Sequence, residues 1–334
     1  MTVSLAAVAP IASLATARAV AFVAASKPAA DALGKRLADQ VNDPDAFASV
    51  LRTGLERLAD PDYLEGQRRV APGIGPIHGV RTPLLAAVAR GFRRASRRER
   101  PASLLFIADR LVREPHLEAR WLAFGLLERT LATDPERTWQ LLRRSARDAA
   151  DWITVDTLAQ AYGAGIRAEP YRWAELEQLV YSPSRWERRL IGSTVATMAH
   201  GGRRKDRPAD LAEHGLMLLG QLMGEDEPDV KKALSRAYRS LAEIEPEATA
   251  AALSGETDLA VAGFDGHRAW VIRESLVKLL PAPADDLRDR LTGIRRRPGA
   301  PSTSVAASTA ARFGAALPNP VDHLSTTTDP SRSE

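Results

Sequence analysis

The chain contains no cysteine. Disulfides, thiolate catalysis and cysteine-ligated zinc or iron–sulfur sites are therefore excluded. Aromatic residues are scarce, at 5% of 334, too few for an all-β protein, whose strands favour aromatic and β-branched side chains. No apolar run approaches the ~20 residues that a membrane span needs. The first thirty residues are rich in alanine and valine, but Pro10, Arg18 and Lys27 interrupt them. No basic residue precedes the first apolar stretch, so no secretory signal is expected. A cytoplasmic protein with no membrane partner follows as the expectation. The histidines are His78, His116, His200, His214, His267 and His323, and no two have the spacing of a helical ligand pair. Neither a metal site nor any cofactor is expected.

One-sided charge is also lacking, with 46 Lys+Arg against 42 Asp+Glu, a net of +4 and a pI of about 9.5. So small an excess matters only if the cations gather on one surface. What is abundant is alanine, leucine, arginine and glutamate, all good helix formers. With 45% hydrophobic residues, the chain can bury one large core or an extended helical array. The class is all-α.

Helix-start signals recur. Asp43-Pro44, Thr82-Pro83 and Asp134-Pro135 place a capping side chain before a proline at the first helical position. Ser184 and Glu187 have the spacing of a capping box. Together with apolar periodicity these signals predict helices near 31–42, 44–59, 83–96, 102–113, 117–132, 136–149 and 152–165. Others are predicted near 171–181, 185–199, 209–223, 228–243, 246–254, 267–280 and 284–296. Short Gly-, Pro- or Asp-bearing breaks separate them. So many helices exceed a simple bundle. Stacked antiparallel pairs, an α-solenoid of HEAT-like units of ~40 residues, fit better. The expected organisation is an Ala-rich, loose N-terminal extension over 1–30, a helical repeat domain over 31–296, and a tail over 297–334. That tail is rich in Pro, Ser, Thr and Gly and is expected to be disordered.

Three helices carry candidate chemistry. In 152–165, Val155, Leu158, Ala159 and Tyr162 form the apolar stripe, while Trp152 and Asp156, four apart, share its edge. An aromatic plane beside a carboxylate can hold a sugar or base next to negative charge. The same spacing equally describes a packed tryptophan and a solvated aspartate. In 185–199 the stripe is Trp186, Leu190, Ile191, Thr194, Val195 and Met198, and Arg185, Arg188 and Arg189 fall away from it. Such a face can fork onto phosphate oxygens, or be a solvated face paired with acids. In 228–243, Val230, Ala233, Leu234, Ala237 and Leu241 point inward, and Lys232, Arg236 and Arg239 lie opposite. Arg203-Arg204-Lys205 forms a basic loop between these two helices, and Arg93, Arg94, Arg97 and Arg98 crowd the end of an earlier helix. Aligned on one side of an array, such rows would make a continuous positive groove, the footprint of a nucleic-acid binder.

The order of these segments carries a resemblance. Gly79-Val80-Arg81-Thr82-Pro83, Glu118-Ala119-Arg120-Trp121-Leu122-Ala123, Asp151-Trp152-Ile153-Thr154-Val155-Asp156, Trp186-Glu187-Arg188-Arg189 and Lys231-Lys232-Ala233-Leu234 with Arg239 follow one another. In this order they resemble the AlkD-like DNA alkylation repair family, most firmly over about 79–253 and less so to about 280. The resemblance implies a C-shaped, HEAT-like stack with a basic concave face that wraps alkylated duplex DNA. It also implies removal of N-alkylated purines of the 3-methyladenine and 7-methylguanine type, with no cofactor. Position by position it implies Trp152, Asp156 and Arg189 as the catalytic group. Arg188, Arg203, Arg204, Lys205, Lys232, Arg236 and Arg239 are the expected DNA contacts. A non-catalytic protein that binds damaged or branched DNA is the alternative, and a protein-binding scaffold a third. The pattern departs from the family at two places: Arg236 stands where a tryptophan is found, and Val70 lies near the place of an expected tyrosine. A monomer is the simplest expectation.

Overall fold

The computed structural model describes residues 5–71, 73–201 and 207–316, with side chains from residue 14 to residue 312 of these. They contain sixteen α-helices and no strand. The chain divides into two compact units after Ala168. The first holds α1 (Leu5–Ala38), α2 (Pro44–Leu58), α3 (Pro61–Val70), α4 (Thr82–Ala95), α5 (Pro101–Leu111), α6 (Leu117–Thr130), α7 (Pro135–Arg147) and α8 (Trp152–Ala168). The second holds α9 (Trp173–Gln178), α10 (Arg185–His200), α11 (Leu211–Leu222), α12 (Pro228–Ala242), α13 (Pro246–Gly263), α14 (Gly266–Ser275), α15 (Pro281–Arg290) and α16 (Val305–Ala316).

In the first unit α1 packs mainly on α4, and in both units helices also pack on the next helix but one. In the first, α4 touches α6, α6 touches α8 and α5 touches α7; in the second, α10 touches α12, α12 touches α14, and α11 and α15 both touch α13. That two-layer stacking is the α-solenoid expected from the spacing of the helices. Each unit contains a helix crossing too close for side chains. A Cβ on Gly91 would lie 2.7 Å from Asp31 O and one on Gly34 2.7 Å from Phe92 N, so α1 and α4 meet backbone to backbone. A Cβ on Gly192 would lie 2.8 Å from the Ala233 carbonyl carbon, where α10 crosses α12.

Several local expectations are corrected. Asp43 does cap α2, accepting from Ala46 N at 2.9 Å. Thr82 is instead the first residue of α4, and Asp134 makes no side-chain cap bond on α7. The Ser184–Glu187 box does not form: Ser184 N donates to Ser182 Oγ at 3.1 Å, and the Ser182 hydroxyl donates to Glu187. The span 171–181 is a short helix, α9, between two 3-10 turns, where Pro170 and the Ser182-Pro183 break confine it. Helix α3, absent from the sequence reading, starts at Asp60-Pro61 with Asp60 Oδ1 accepting from Asp62 N at 3.0 Å.

Both ends differ from the composition-based reading. Helix α1 begins at Leu5, and among its residues 14–38 the first to enter the core is Ala30, followed by Leu33 and Leu37. The tail expected to be disordered is in part folded. Thr303 N donates to Gly224 O at 3.0 Å, and Ala306 and Ala310 of α16 are buried against the second unit. Small residues do this because their packing needs proximity rather than large apolar area. Residues 317–334 lie outside the described residues.

Candidate active site and nucleic-acid contacts

Helix α8 presents Trp152 and Asp156 at its N-terminal end. Its stripe is buried as expected, with Val155, Leu158, Ala159 and Tyr162 at 1% exposure or less, and the Tyr162 ring lies 4.7 Å from that of Trp139. This packing fixes the rotation of the helix and sets the edge on which Trp152 and Asp156 stand. Trp152 remains 38% exposed, and Asp156 is half-buried. Trp152 thus keeps part of its ring open to solvent at the edge of the stripe.

Asp151 builds the start of α8. Its Oδ1 accepts from Thr154 N at 2.7 Å and its Oδ2 from Thr154 Oγ1 at 2.6 Å, which satisfies one of the free N–H groups of the first turn. Arg120 of α6 approaches the same carboxylate at 3.5 Å. In the sequence, Asp151 and Arg120 stand out only as members of their motifs. Asp151 was legible as a cap, three residues before a threonine at the head of a periodic run.

Glu118 explains why two of the quoted segments travel together. Buried on α6, its carboxylate accepts from the backbone N–H groups of His78, Gly79 and Val80 at 2.8–3.3 Å. Gly79 has φ +82, and a Cβ there would lie 2.6 Å from that of Leu64. Only glycine fits such a turn. Arg81 Nε donates to Asp60 Oδ2 at 2.6 Å and its guanidinium lies 5.0 Å from the Tyr63 ring. Burial pushes the Asp60 carboxyl up, but the Arg81 hydrogen bond and the capped N–H groups outweigh it and hold it below the usual range. The Gly79–Pro83 segment is thus an architectural joint, and its charged groups face one another.

In the second unit, α10 departs from expectation. Its arginines 188 and 189 do not share a solvated face: they are 6% and 5% exposed. Arg188 Nε donates to Glu225 Oε2 at 2.8 Å, and its Nη1 donates to the carbonyls of Ser182 at 2.8 Å and Pro183 at 3.1 Å. Glu225 is fully buried, and that burial pushes its carboxyl up despite the arginine. Arg188 is therefore corrected from a DNA contact to one half of a buried ion pair. The reason is that α10 is enclosed by α11, α12 and the 179–181 turn, and a buried cation needs a partner. Arg189 Nη1 donates to the Asp229 carbonyl at 2.6 Å, in the first turn of α12. Arg185 stays exposed, 4.7 Å from the Trp186 ring.

Helix α12 follows its pattern. Val230, Ala233, Leu234, Ala237 and Leu241 are buried, and Lys232 and Arg236 are exposed one turn apart. Arg239 is half-buried and donates to Glu274 O at 3.1 Å. Lys231 points the other way, buried with Nζ 3.4 Å from His267 Nδ1 and 5.7 Å from the Trp270 ring. Burial, then the nearby Arg296 charge, lowers its amine below the ordinary lysine value. Arg203, Arg204 and Lys205 fall outside the described residues.

Among the described residues no cluster of three or more His, Asp or Glu side chains could hold a metal ion. No helix among them is long and apolar enough to cross a membrane. A family described as DNA alkylation repair enzyme has a model that matches residues 51–278. No curated protein matches the chain significantly.

Proposed function

The chain belongs to the DNA alkylation repair enzyme family, and from that premise we propose that it is a glycosylase hydrolysing the N-glycosidic bond of N-alkylated purines in duplex DNA. The observation that carries this reading is the head of α8, where an outward-facing Trp152 and a half-buried Asp156 stand one turn apart on a helix whose first turn is locked by Asp151.

The chemistry requires those groups. A purine alkylated at N3 or N7 is already a cationic leaving group, so no general acid has to protonate it. Positive charge then develops on the deoxyribose as the bond breaks. The Asp156 carboxylate stabilises that charge and orients the attacking water, and its partial burial strengthens the interaction over what it would be in water. Trp152 packs its π face on the sugar, on the side where the cation forms. Arg189, the third member that the resemblance implies, is 5% exposed and donates to the Asp229 carbonyl, so no phosphate contact is assigned to it. Lys232, Arg236 and Arg239 add phosphate contacts along α12. The test is release of 7-methylguanine or 3-methyladenine from methylated duplex by the full chain.

A second reading is favoured by one residue. Arg236 is exposed on α12 where an aromatic would cradle a sugar, and a cation serves a phosphate better. On this reading the protein binds damaged or branched DNA without cleaving it. Duplex binding by Asp156→Asn at wild-type affinity, with no base release by the wild type, would select it.

A further inference from the structure

Between the ends of α5 and α7 and the starts of α6 and α8 lies a cavity of about 350 Å³, lined by Arg113, Arg120, Phe124, Arg144, Ser145 and Asp148 among others. It belongs wholly to the first unit. Three guanidinium groups converge there, Arg120 from α6, Arg144 from α7 and Arg113 from the turn after α5, and the acids near them do not use their donors up. Arg113 and Arg144 hold opposite oxygens of a single carboxylate, Asp109. Arg120 stands 3.5 Å from Asp151 Oδ2, beyond good hydrogen-bond range, and both Asp151 oxygens already accept from Thr154. Arg113 and Arg144 are part-exposed and share their remaining donors with water, whereas Arg120 is mostly buried.

Two polar atoms at the cavity wall mark the shortfall. Arg120 Nε is buried and donates to nothing among the described residues. Ser145 is 7% exposed, and its hydroxyl has no partner among the described residues either. Buried donors of this kind are costly unless something meets them. A tetrahedral oxyanion meets them once the two side chains turn toward the cavity, since its oxygens accept from several directions and guanidinium forks match their spacing. We propose that this cavity is a phosphate-binding site, taking the phosphate of a nucleic-acid backbone or of a free phosphate ester. Its volume exceeds that of one phosphate, leaving room for an attached sugar. Asp148, exposed and part of the same lining, opposes the anion and limits its affinity. The inference does not depend on glycosylase activity.

The experiment is calorimetric titration of the full chain with inorganic phosphate at low salt, repeated with a short unmodified duplex. Saturable binding of phosphate is expected. Arg113→Gln and Arg120→Gln should each weaken it about tenfold, Ser145→Ala should weaken it about threefold, and Asp148→Asn should tighten it. Arg113 and Ser145 serve because Arg120→Gln also disturbs the start of α8. If the same variants weaken the duplex by similar factors and phosphate displaces it, the ligand is the DNA backbone. If duplex affinity is unmoved while phosphate binding falls, the site serves a free phosphate ester. Absence of saturable phosphate binding at millimolar concentration, or equal affinity in all the variants, would overturn the proposal.

Discussion

Helices α10 and α12 of the second unit both carry cations opposite an apolar stripe, yet they put them to different uses. On α10, Arg188 and Arg189 are buried and held by Glu225 and by backbone carbonyls. On α12, Lys232 and Arg236 face outward. The two stripes look alike in sequence. What separates them is the surroundings: α10 is closed in and has a buried carboxylate within reach of Arg188, whereas the outward face of α12 is left uncovered. A periodic pattern says which residues leave the stripe. It does not say whether they reach water.

Breaking the comparison most severely is Arg188→Ala, which leaves the Glu225 carboxyl buried without its partner. A loss of about 3–5 kcal/mol is expected, read as a lowered denaturant midpoint, with the duplex affinity of the folded fraction unchanged. A variant of normal stability that fails to bind DNA would return Arg188 to the interface.

Next in size are the two backbone crossings. Gly91→Ala in the first unit and Gly192→Ala in the second each force a methyl into backbone at under 3.0 Å, and should cost about 1–3 kcal/mol. Unfolding monitored by circular dichroism shows whether the units respond alike. Gly125→Ala, whose Cβ meets nothing within 4 Å, is the control and should be neutral or slightly stabilising.

The pH dependence sets one unit against the other. Asp60 and Glu114 of the first have carboxyls held below their ordinary values: burial pushes both up, and the hydrogen bonds from Arg81, or from Arg110 and Arg52, outweigh it. Their contribution is present above the unfolded carboxyl range and is lost as pH falls through the folded values, below about 4. Glu225 has the opposite sign. Raised by burial, it contributes fully below the unfolded value of about 4.3 and loses that contribution as pH rises through the folded one. Arg81→Met should flatten the acid limb of the melting curve, and Glu225→Gln should flatten the limb above it. Parallel acid limbs in wild type and both variants would contradict this.

Smallest in stability, though not in binding, are Lys232→Ala and Arg236→Ala. Each should shift stability by less than about 0.5 kcal/mol while lowering the salt dependence of duplex binding by about one released counterion. An unchanged salt slope in both would remove α12 from the interface.

Much of the fold is legible in the sequence because helix breaks are written in Pro, Gly and Asp, and fourteen expected helical spans have counterparts in the structure. Helix α3 is missed because Asp60-Pro61 follows so closely on α2 that the two read as one break. Helix α16 is missed because its alanines give too little apolar signal to outweigh the composition around them. At the candidate site, the edge position of Trp152 and Asp156 follows from the stripe on α8. The buried acids are harder to see. Glu118 sits between Leu117 and Ala119 in an apolar context that hints at burial, but its acceptors' partners lie some forty residues back, at His78 to Val80. Glu225 is hidden in the run Glu225-Asp226-Glu227, where nothing local distinguishes the one residue that turns inward.

The central claim is that the head of α8 performs the chemistry. Its most direct test is base release from methylated duplex by wild type and Asp156→Asn, with duplex affinity measured alongside. The account predicts release by the wild type and a fall of at least about a hundredfold in the variant, with affinity changed little. Release that survives in Asp156→Asn at the wild-type rate would contradict it.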